Sequence, residues 1–398
     1  MTEIAGRLAE LRDRGLRRRL RLVQGPQGEH LTLDAHSVLL LCSNDYLGLA
    51  ADPRVREATA EGAMRWGAGA GASRLVCGNM EPHTALESEL AEFIGSESAL
   101  LFGSGYLANT GAIAALAGEG EVVFSDELNH ASIIDGCRLA RAETFVYRHG
   151  DLEHLAWGLK QAGRRAALIV TDGIFSMDGD LAPLAELSLL ARRHRCRLMV
   201  DEAHAIGTLG PGGRGSVVAA GLEGEVDVLV GTLGKALGSY GAFVCAKGET
   251  VEYLLNTARP FVFSTAPPPP AIEAGRAALA VLEAEPKRVE RLQSNAVTLR
   301  EALGVGAAAD AAAPAAHIVP LVVGSAEAAM ALSERLLAQG IFAQGIRPPT
   351  VPEGSSRIRF TVMATHDPEQ LRNAGATALR LAAELGVPGS AAPTGAAP

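Results

Sequence analysis

Short apolar runs recur along the first two thirds of the chain, each closed by glycine, an acid or a turn residue. Ala99–Phe102, Val122–Phe124, Ala167–Val170, Arg197–Asp201, Val226–Val230 and a run near 241 read as strands, and helix-like stretches separate most of them. This β–helix alternation predicts an α/β domain on an open, mostly parallel sheet. Ahead of it, Ile4, Leu8, Leu11 and Leu16 fall at near-helical spacing and predict a helix over residues 1 to about 25, then a β-like arm ending at Val38–Cys42. Glu87–Ile94 has the pattern of an amphipathic helix. The run Pro267–Pro270 breaks the alternation and is read as the exit into a second, smaller domain. There, helices are expected over 271–283, 288–303, 325–338 and 367–385, with β runs at Ile318–Val323 and Ile358–Met363. Asp367 caps the last helix, Pro368 takes its first position and Gly386 lies past its end. The expected division is an N-terminal helix and arm (1–42), a large domain (43–270), a small domain (271–386) and a disordered Ala/Pro/Gly-rich tail (387–398).

Composition adds exclusions. With 398 residues, 48% hydrophobic and 20% charged, the chain has an ordinary globular makeup and room for two domains. A net charge of −9 argues against nucleic acid as a partner. The five cysteines show no Cys-x-x-Cys and no histidine at metal spacing, so no metal site is expected and all five read as reduced. The N-terminus has no apolar h-region, and no apolar run approaches the roughly 20 residues of a membrane span. A cytoplasmic location follows as an expectation.

The strongest chemical signal is Gly231-Thr-Leu-Gly-Lys235-Ala-Leu-Gly238, directly after the Val226–Val230 run. The pattern places Lys235 on a loop past a buried strand, among glycines that leave room for a flat ligand. Such a lysine is either a solvated loop residue or a Schiff-base former with a lowered pKa. Asp201 closes another apolar run in Arg197-Leu-Met-Val-Asp201-Glu-Ala-His204, 34 positions earlier (235 minus 201). That distance accommodates a helix and a strand, putting both residues at the carboxyl edge of one sheet, where α/β folds bind ligands. An aldimine-forming lysine with a buried acid suits pyridoxal phosphate, whose ring works best with its nitrogen protonated. An aspartate about 4 Å away at an effective dielectric near 20 contributes about 4 kcal/mol, or roughly three pKa units. Alone, Asp201 reads equally as a helix N-cap and His204 as a satisfied core histidine. His204 is otherwise a donor to the ring's phenolate oxygen.

Other stretches complete such a site. Gly103-Ser-Gly105-Tyr106 sits between a strand and a helix and offers bare N–H groups to a phosphate, with Thr232 as a further donor. His130 follows a strand, either to lie over a cofactor ring or simply to begin a helix. Ser176 stabilises a turn or bonds the phenolate oxygen. Ser43-Asn44-Asp-Tyr-Leu-Gly-Leu49 is a connector or a shaped loop. Gly67–Arg74 is glycine-rich but lacks both nucleotide-loop spacings. Arg17-Arg-Arg-Leu-Arg21 is a solvated helix face or a contact for an anionic substrate tail.

From about Ile4 to Leu385 the chain resembles the α-oxoamine synthases, pyridoxal-phosphate enzymes of the aspartate-aminotransferase fold (fold type I). Five ordered motifs carry the resemblance: Ser43–Leu49, Asn129-His130-Ala-Ser132, Asp172-Gly-Ile-Phe-Ser176-Met-Asp-Gly-Asp180, Asp201–His204 and Thr232–Lys235. It implies that Lys235 carries the cofactor's Schiff base and removes the α-proton, that Asp201 pairs with the pyridinium, and that His204 and Ser176 bond the phenolate oxygen. Gly105, Tyr106 and Thr232 hold the phosphate, and His130 stacks on the ring. Arg359 binds the amino acid's carboxylate, Asn44 is assigned to substrate binding, and Arg17 and Thr350 contact the acyl substrate. It also implies a homodimer with a shared active site, Ser264 and Thr265 reaching the neighbour's phosphate. Ile346-Arg-Pro-Pro-Thr350-Val-Pro352, with Arg357-Ile-Arg359 and the arginine run, points to the branch that condenses L-alanine with a pimeloyl thioester, carried by coenzyme A or a carrier protein. Gly71–Gly78 has a form shared with sister enzymes that use glycine and shorter acyl-CoA. A non-catalytic pyridoxal-phosphate sensor is the remaining alternative, against which the retention of lysine, acid, histidine and Arg359 together argues.

Overall fold

A computed structural model describes residues 3–18, 20–305 and 316–387. The chain forms two compact units, one of residues 44–292 and one of residues 1–43 with 293–398. The expected boundary at 270 is displaced. Pro268 and Pro269 do not lead out of the large unit; they start the helix Pro269–Ala284, with Pro268 as its N-cap. Proline at a first helical position loses no hydrogen bond and presets φ. The helix buries Ile272, Leu279 and Leu282 and packs on the helices Pro53–Trp66 and Glu81–Ile94 of the same unit.

The larger unit is built on seven strands in the spatial order Ser98–Phe102, Ala242–Ala246, Val228–Thr232, Arg197–Asp201, Ala166–Asp172, Val122–Asp126 and Glu143–Tyr147. Ala242–Ala246 runs antiparallel to both its neighbours; the remaining pairings are parallel. These strands are almost wholly apolar because helices cover both faces. Leu100, Val123, Leu168, Val170, Met199, Val230 and Val244 lie in one core with Ile113 and Ile133. Glu143–Tyr147 was not expected; its Glu143, Thr144 and Val146 are exposed, the signature of an edge strand with little apolar signal. The reversed strand has a local effect. Residues 233–241 return the chain in a hairpin, with Thr232 opposite Ala242 and Leu233 N–H donating to Gly241 O at 2.9 Å.

The second unit opens with the helix Glu3–Asp13, shorter than expected because Gly15 takes φ 65° just beyond it and Leu16 lies outside. Strands Val23–Gln24, His30–Leu33, His36–Leu40 and Ile341–Phe342 make one small sheet, and Ile318–Gly324, Ser356–Thr361 and Gln344–Ile346 another. Leu31, Leu33, Val38 and Leu40 pack with Leu337 and Phe342. His366 is buried; its Nδ1 accepts from Met363 N–H at 2.9 Å, and Nε2 lies 3.0 Å from Leu40 O. Burial, against the pull of that carbonyl, holds its pKa down at about 4. The expected tail lies outside the described residues from 388 onward, as does Arg19. Among the described residues no helix is long and apolar enough to cross a membrane.

Candidate active site

Four parallel strands end side by side, and their last residues build the site. Asp172 and Asp201 are Cα partners at the ends of neighbouring strands, and Asp201 is opposite Val230 on the strand that leads to Lys235. Lys235 stands half-buried in the 233–241 hairpin, its Nζ 2.8 Å from His204 Nε2. The hairpin glycines divide their duties. A Cβ on Gly231 would come within 2.3 Å of the Phe243 ring, and one on Gly238 (φ 58°) within 2.3 Å of Ala50 N. Those two therefore serve close packing, whereas a Cβ on Gly234 would make only ordinary contacts, 3.6 Å from Ser239 O and 3.7 Å from Thr232 Oγ1.

Asp201 is buried and accepts N–H bonds from Ala203 at 2.9 Å and from Asn109 Nδ2 at 2.6 Å. It forms no ion pair among the described residues. Its neighbour Glu202 anchors the turn, taking the N–H groups of Ser216 (2.9 Å) and Val217 (2.7 Å) and the Ser216 hydroxyl (2.9 Å). Burial pushes the Glu202 carboxyl up to about 7 against those bonds. His204 continues the turn, and its Nδ1 meets the hydroxyl of the fully buried Tyr46 at 2.7 Å. Tyr46 in turn donates to Asn44 Oδ1 at 2.9 Å. The loop holding them is shaped, as one of its two readings expected: Asp45 accepts from Leu49 N–H at 2.8 Å and from Ala50 N–H at 3.2 Å.

On the other side of Asp201, Asn109 gives its second amide proton to Ser132 Oγ at 2.9 Å, and Ser132 Oγ lies 2.7 Å from His130 Nδ1. Asn109 Oδ1 is buried without a hydrogen-bond partner among the described residues. His130 caps the helix Ala131–Leu139, and its own N–H is held by Asp172 Oδ2 at 2.8 Å. Desolvation lowers the His130 pKa, against the attraction of Asp201. Asp172 is held well above the usual carboxylate range by burial and then by Asp201's charge. Sequence reasoning passed over Asn109, Asp172 and Tyr46 as site residues. Their motifs were visible, but their partners lie 92, 42 and 158 positions away.

Gly105 and Tyr106 begin the helix Gly105–Leu116, capped by Ser104 Oγ. A Cβ on Gly105 would meet nothing within 4 Å, so there is open space beside the first turn at the helix's positive end. Tyr106's hydroxyl is given to Asp135. Thr232 donates its hydroxyl to Gly241 O at 3.0 Å and accepts from Gly234 N–H. Ser176 lies half-buried in a tight loop closed by Phe175 N–H to Asp180 O at 3.0 Å and Gly179 N–H to Phe175 O at 2.8 Å. Thr265 bridges Ser73, placing Ser264 and Thr265 beside the glycine-rich stretch, with no hydrogen bond to Lys235, His204 or Asp201 among the described residues. In the second unit, Arg359 is buried on the strand Ser356–Thr361. Arg17 and Thr350 are exposed; Arg347 joins their segments by donating to Arg17 O at 3.3 Å and accepting from Thr350 N–H at 3.1 Å.

A mostly parallel sheet whose strand ends converge on a lysine, a buried aspartate and a histidine defines a ligand-binding edge. The chain belongs to the aminotransferase class I and II family, whose model matches residues 36–377. Several curated relatives of about half identity are named 8-amino-7-oxononanoate synthase. The relative from Geobacter sulfurreducens is 51% identical over 389 residues, covering 96% of this chain and 99% of its own. That from Anaeromyxobacter dehalogenans is 52% identical, covering 92% of each. Among solved structures, serine palmitoyltransferase from S. paucimobilis, with a bound PLP–myriocin aldimine, superposes with a TM-score of 0.90 at 32% identity, covering 97% of this chain and 98% of its own. An 8-amino-7-oxononanoate synthase from Francisella tularensis gives a TM-score of 0.75 at 28% identity over 87% of this chain and 99% of its own.

Pyridoxal phosphate fits the residues present. Among the described residues the buried Asp201 carboxylate is bonded only to neutral N–H donors and has no ion-pair partner, and leaving a buried charge so costs several kcal/mol. A protonated ring nitrogen would supply that charge. An open helix N-terminus matches a phosphate, and a half-buried amine matches an aldehyde.

Proposed function

We propose that this chain condenses L-alanine with a pimeloyl (6-carboxyhexanoyl) thioester to give 8-amino-7-oxononanoate, free thiol and carbon dioxide, in biotin biosynthesis. Pyridoxal phosphate, when bound, supplies a sink for the electron pair left as alanine's α-proton departs. Asp201 keeps a proton on the ring nitrogen, and Lys235 Nζ takes the α-proton. The amides of Gly105 and Tyr106, with Thr232, hold the phosphate. Ser176 and His204 hold the ring oxygen, and His130 covers the ring face. Arg359 pairs with the alanine carboxylate, a bidentate task suited to its planar fork. Asn44 serves the amino acid, while Arg17 and Thr350, on adjoining segments, take the acyl tail. The chain works as a homodimer, with Ser264 and Thr265 serving the neighbouring site.

The observation that carries this reading is the buried Asp201 carboxylate, without an ion-pair partner among the described residues, at the strand end beside the lysine hairpin. The relatives' names, at about half identity over nearly the whole chain, support the choice of substrates. The test is a thioester panel with alanine or glycine, following released thiol. Alanine with pimeloyl-CoA or a pimeloyl carrier protein is expected to lead every other pair by at least about tenfold. Preference for glycine with a short acyl group overturns the substrate assignment. Lys235→Ala is expected to lose at least about a thousandfold in turnover. Light scattering checks for two chains. Mixing Lys235→Ala chains with Ser264→Ala/Thr265→Ala chains should restore part of the activity if the site is shared.

A further inference from the structure

We propose that Tyr46 is a positioning residue that fixes the tautomer of His204, so that His204 Nε2 receives the proton of Lys235. The protons along one chain of contacts fix it. Tyr46 has a single hydroxyl proton and gives it to Asn44 Oδ1 at 2.9 Å. Its 2.7 Å contact with His204 Nδ1 therefore needs the proton to sit on Nδ1. A neutral imidazole protonated there carries its lone pair on Nε2, which lies 2.8 Å from Lys235 Nζ. An ammonium has only protons to give, so the lysine end demands the same tautomer as the tyrosine end.

The transfer breaks one N–H bond on Nζ and forms one on Nε2, leaving a neutral amine and an imidazolium. The Nδ1–H bond to Tyr46 then becomes charge-assisted, which strengthens it. A neutral amine is what attacks an aldehyde. In this tautomer Nε2 has no proton to offer an oxygen of a bound ring until it has taken the one from Lys235. The role given to His204 by resemblance thus becomes the second half of a relay. Tyr46 is fully buried, and its loop is locked by Asp45 and by the contact of Gly238 with Ala50. Asp172 and His130 also feel the charge of Lys235, and the variants below leave both in place.

The inference rests on the proposed reading for its use in the reaction, but its test needs neither alanine nor a thioester. In the full chain freed of cofactor, 15N NMR of labelled histidine is expected to show His204 protonated on Nδ1 and bare on Nε2. Reductive capture of Lys235 by pyridoxal at pH 7, followed by mass spectrometry, reports the free amine. Tyr46→Phe is expected to slow capture about tenfold, because losing one charge-assisted bond weakens His204 as a base by roughly one pKa unit. Asn44→Ala, at an exposed position, frees the tyrosine proton for Nδ1 and should move the imidazole proton to Nε2. It serves if the buried variant fails to fold. A native proton on Nε2, or a Tyr46→Phe protein with unchanged tautomer and capture rate, overturns the relay. An intact relay in a protein that fails the thioester panel overturns only the substrate assignment.

Discussion

Two strand-end aspartates in the same sheet have opposite surroundings. Asp126 is buried, and the chain supplies its cation: His149 Nδ1 lies 2.9 Å from Asp126 Oδ1, and His149 Nε2 lies 2.7 Å from Asp180 Oδ2. Burial alone would lower the His149 pKa, but the two carboxylates overcome it and push the imidazole up to about 10. Asp201, two strands away, is as deeply buried and, among the described residues, is given only N–H donors. The first aspartate is neutralised at folding and ties the Ser176 loop to the sheet through Asp180. The second is left to be neutralised by what binds. A buried acid is informative about function only once its counter-charge has been sought.

The contrast predicts opposite outcomes for the same substitution. Asp201→Asn should lower turnover about a thousandfold, in line with three pKa units lost at a ring nitrogen. The stability of the cofactor-free chain in urea should not fall. It should rise by about 1 kcal/mol, since a buried charge is removed and Asn109 can turn its unpartnered oxygen to the new amide. A stability loss there would mean that the folded chain itself supplies the Asp201 counter-charge. Asp126→Asn should do the reverse, costing about 3 kcal/mol in the same titration by leaving His149 with half its charge partners.

A pH series sharpens the contrast. His149 has a folded pKa above its ordinary 6.5, so the folded state holds a proton that the unfolded state releases. Its stabilisation is fully present below 6.5 and is lost as pH rises through 10, by up to about 1.4 kcal/mol per pH unit. Denaturation across that window should flatten in His149→Gln. His366 has the opposite sign. With its folded pKa at about 4, the unfolded state binds the extra proton, and stability falls as pH drops from 6.5 toward 4. His366→Gln should remove that acid sensitivity, the smallest of these effects near neutral pH.

The parallel strands and their chemically loaded ends were legible because apolar runs closed by Asp201, or followed by Lys235 and His130, announce themselves locally. What escaped was what depends on partners far along the chain. Tyr46 looked like one ring in a turn-rich loop until the fold brought it to His204, 158 positions on. Asn109 looked like a helix residue until it reached Asp201 across 92 positions. Pro267–Pro270 was misread for a different reason: proline breaks one element and starts another with the same geometry, and only packing on neighbouring helices decides which. Likewise, glycines 231 and 238 were credited to a ligand when an adjacent ring and backbone required them.

The one reversed strand in the sheet carries a consequence for the lysine. Because Ala242–Ala246 runs back against Val228–Thr232, the amine hangs from a short leash clamped at both ends by Thr232 opposite Ala242. A helical crossover at that point would have left it to wander. Its location is set when the ladder zips up, so the orientational freedom that capturing a carbonyl would otherwise remove has already been surrendered during folding. Lengthening the leash, with every side chain kept, would slow that capture.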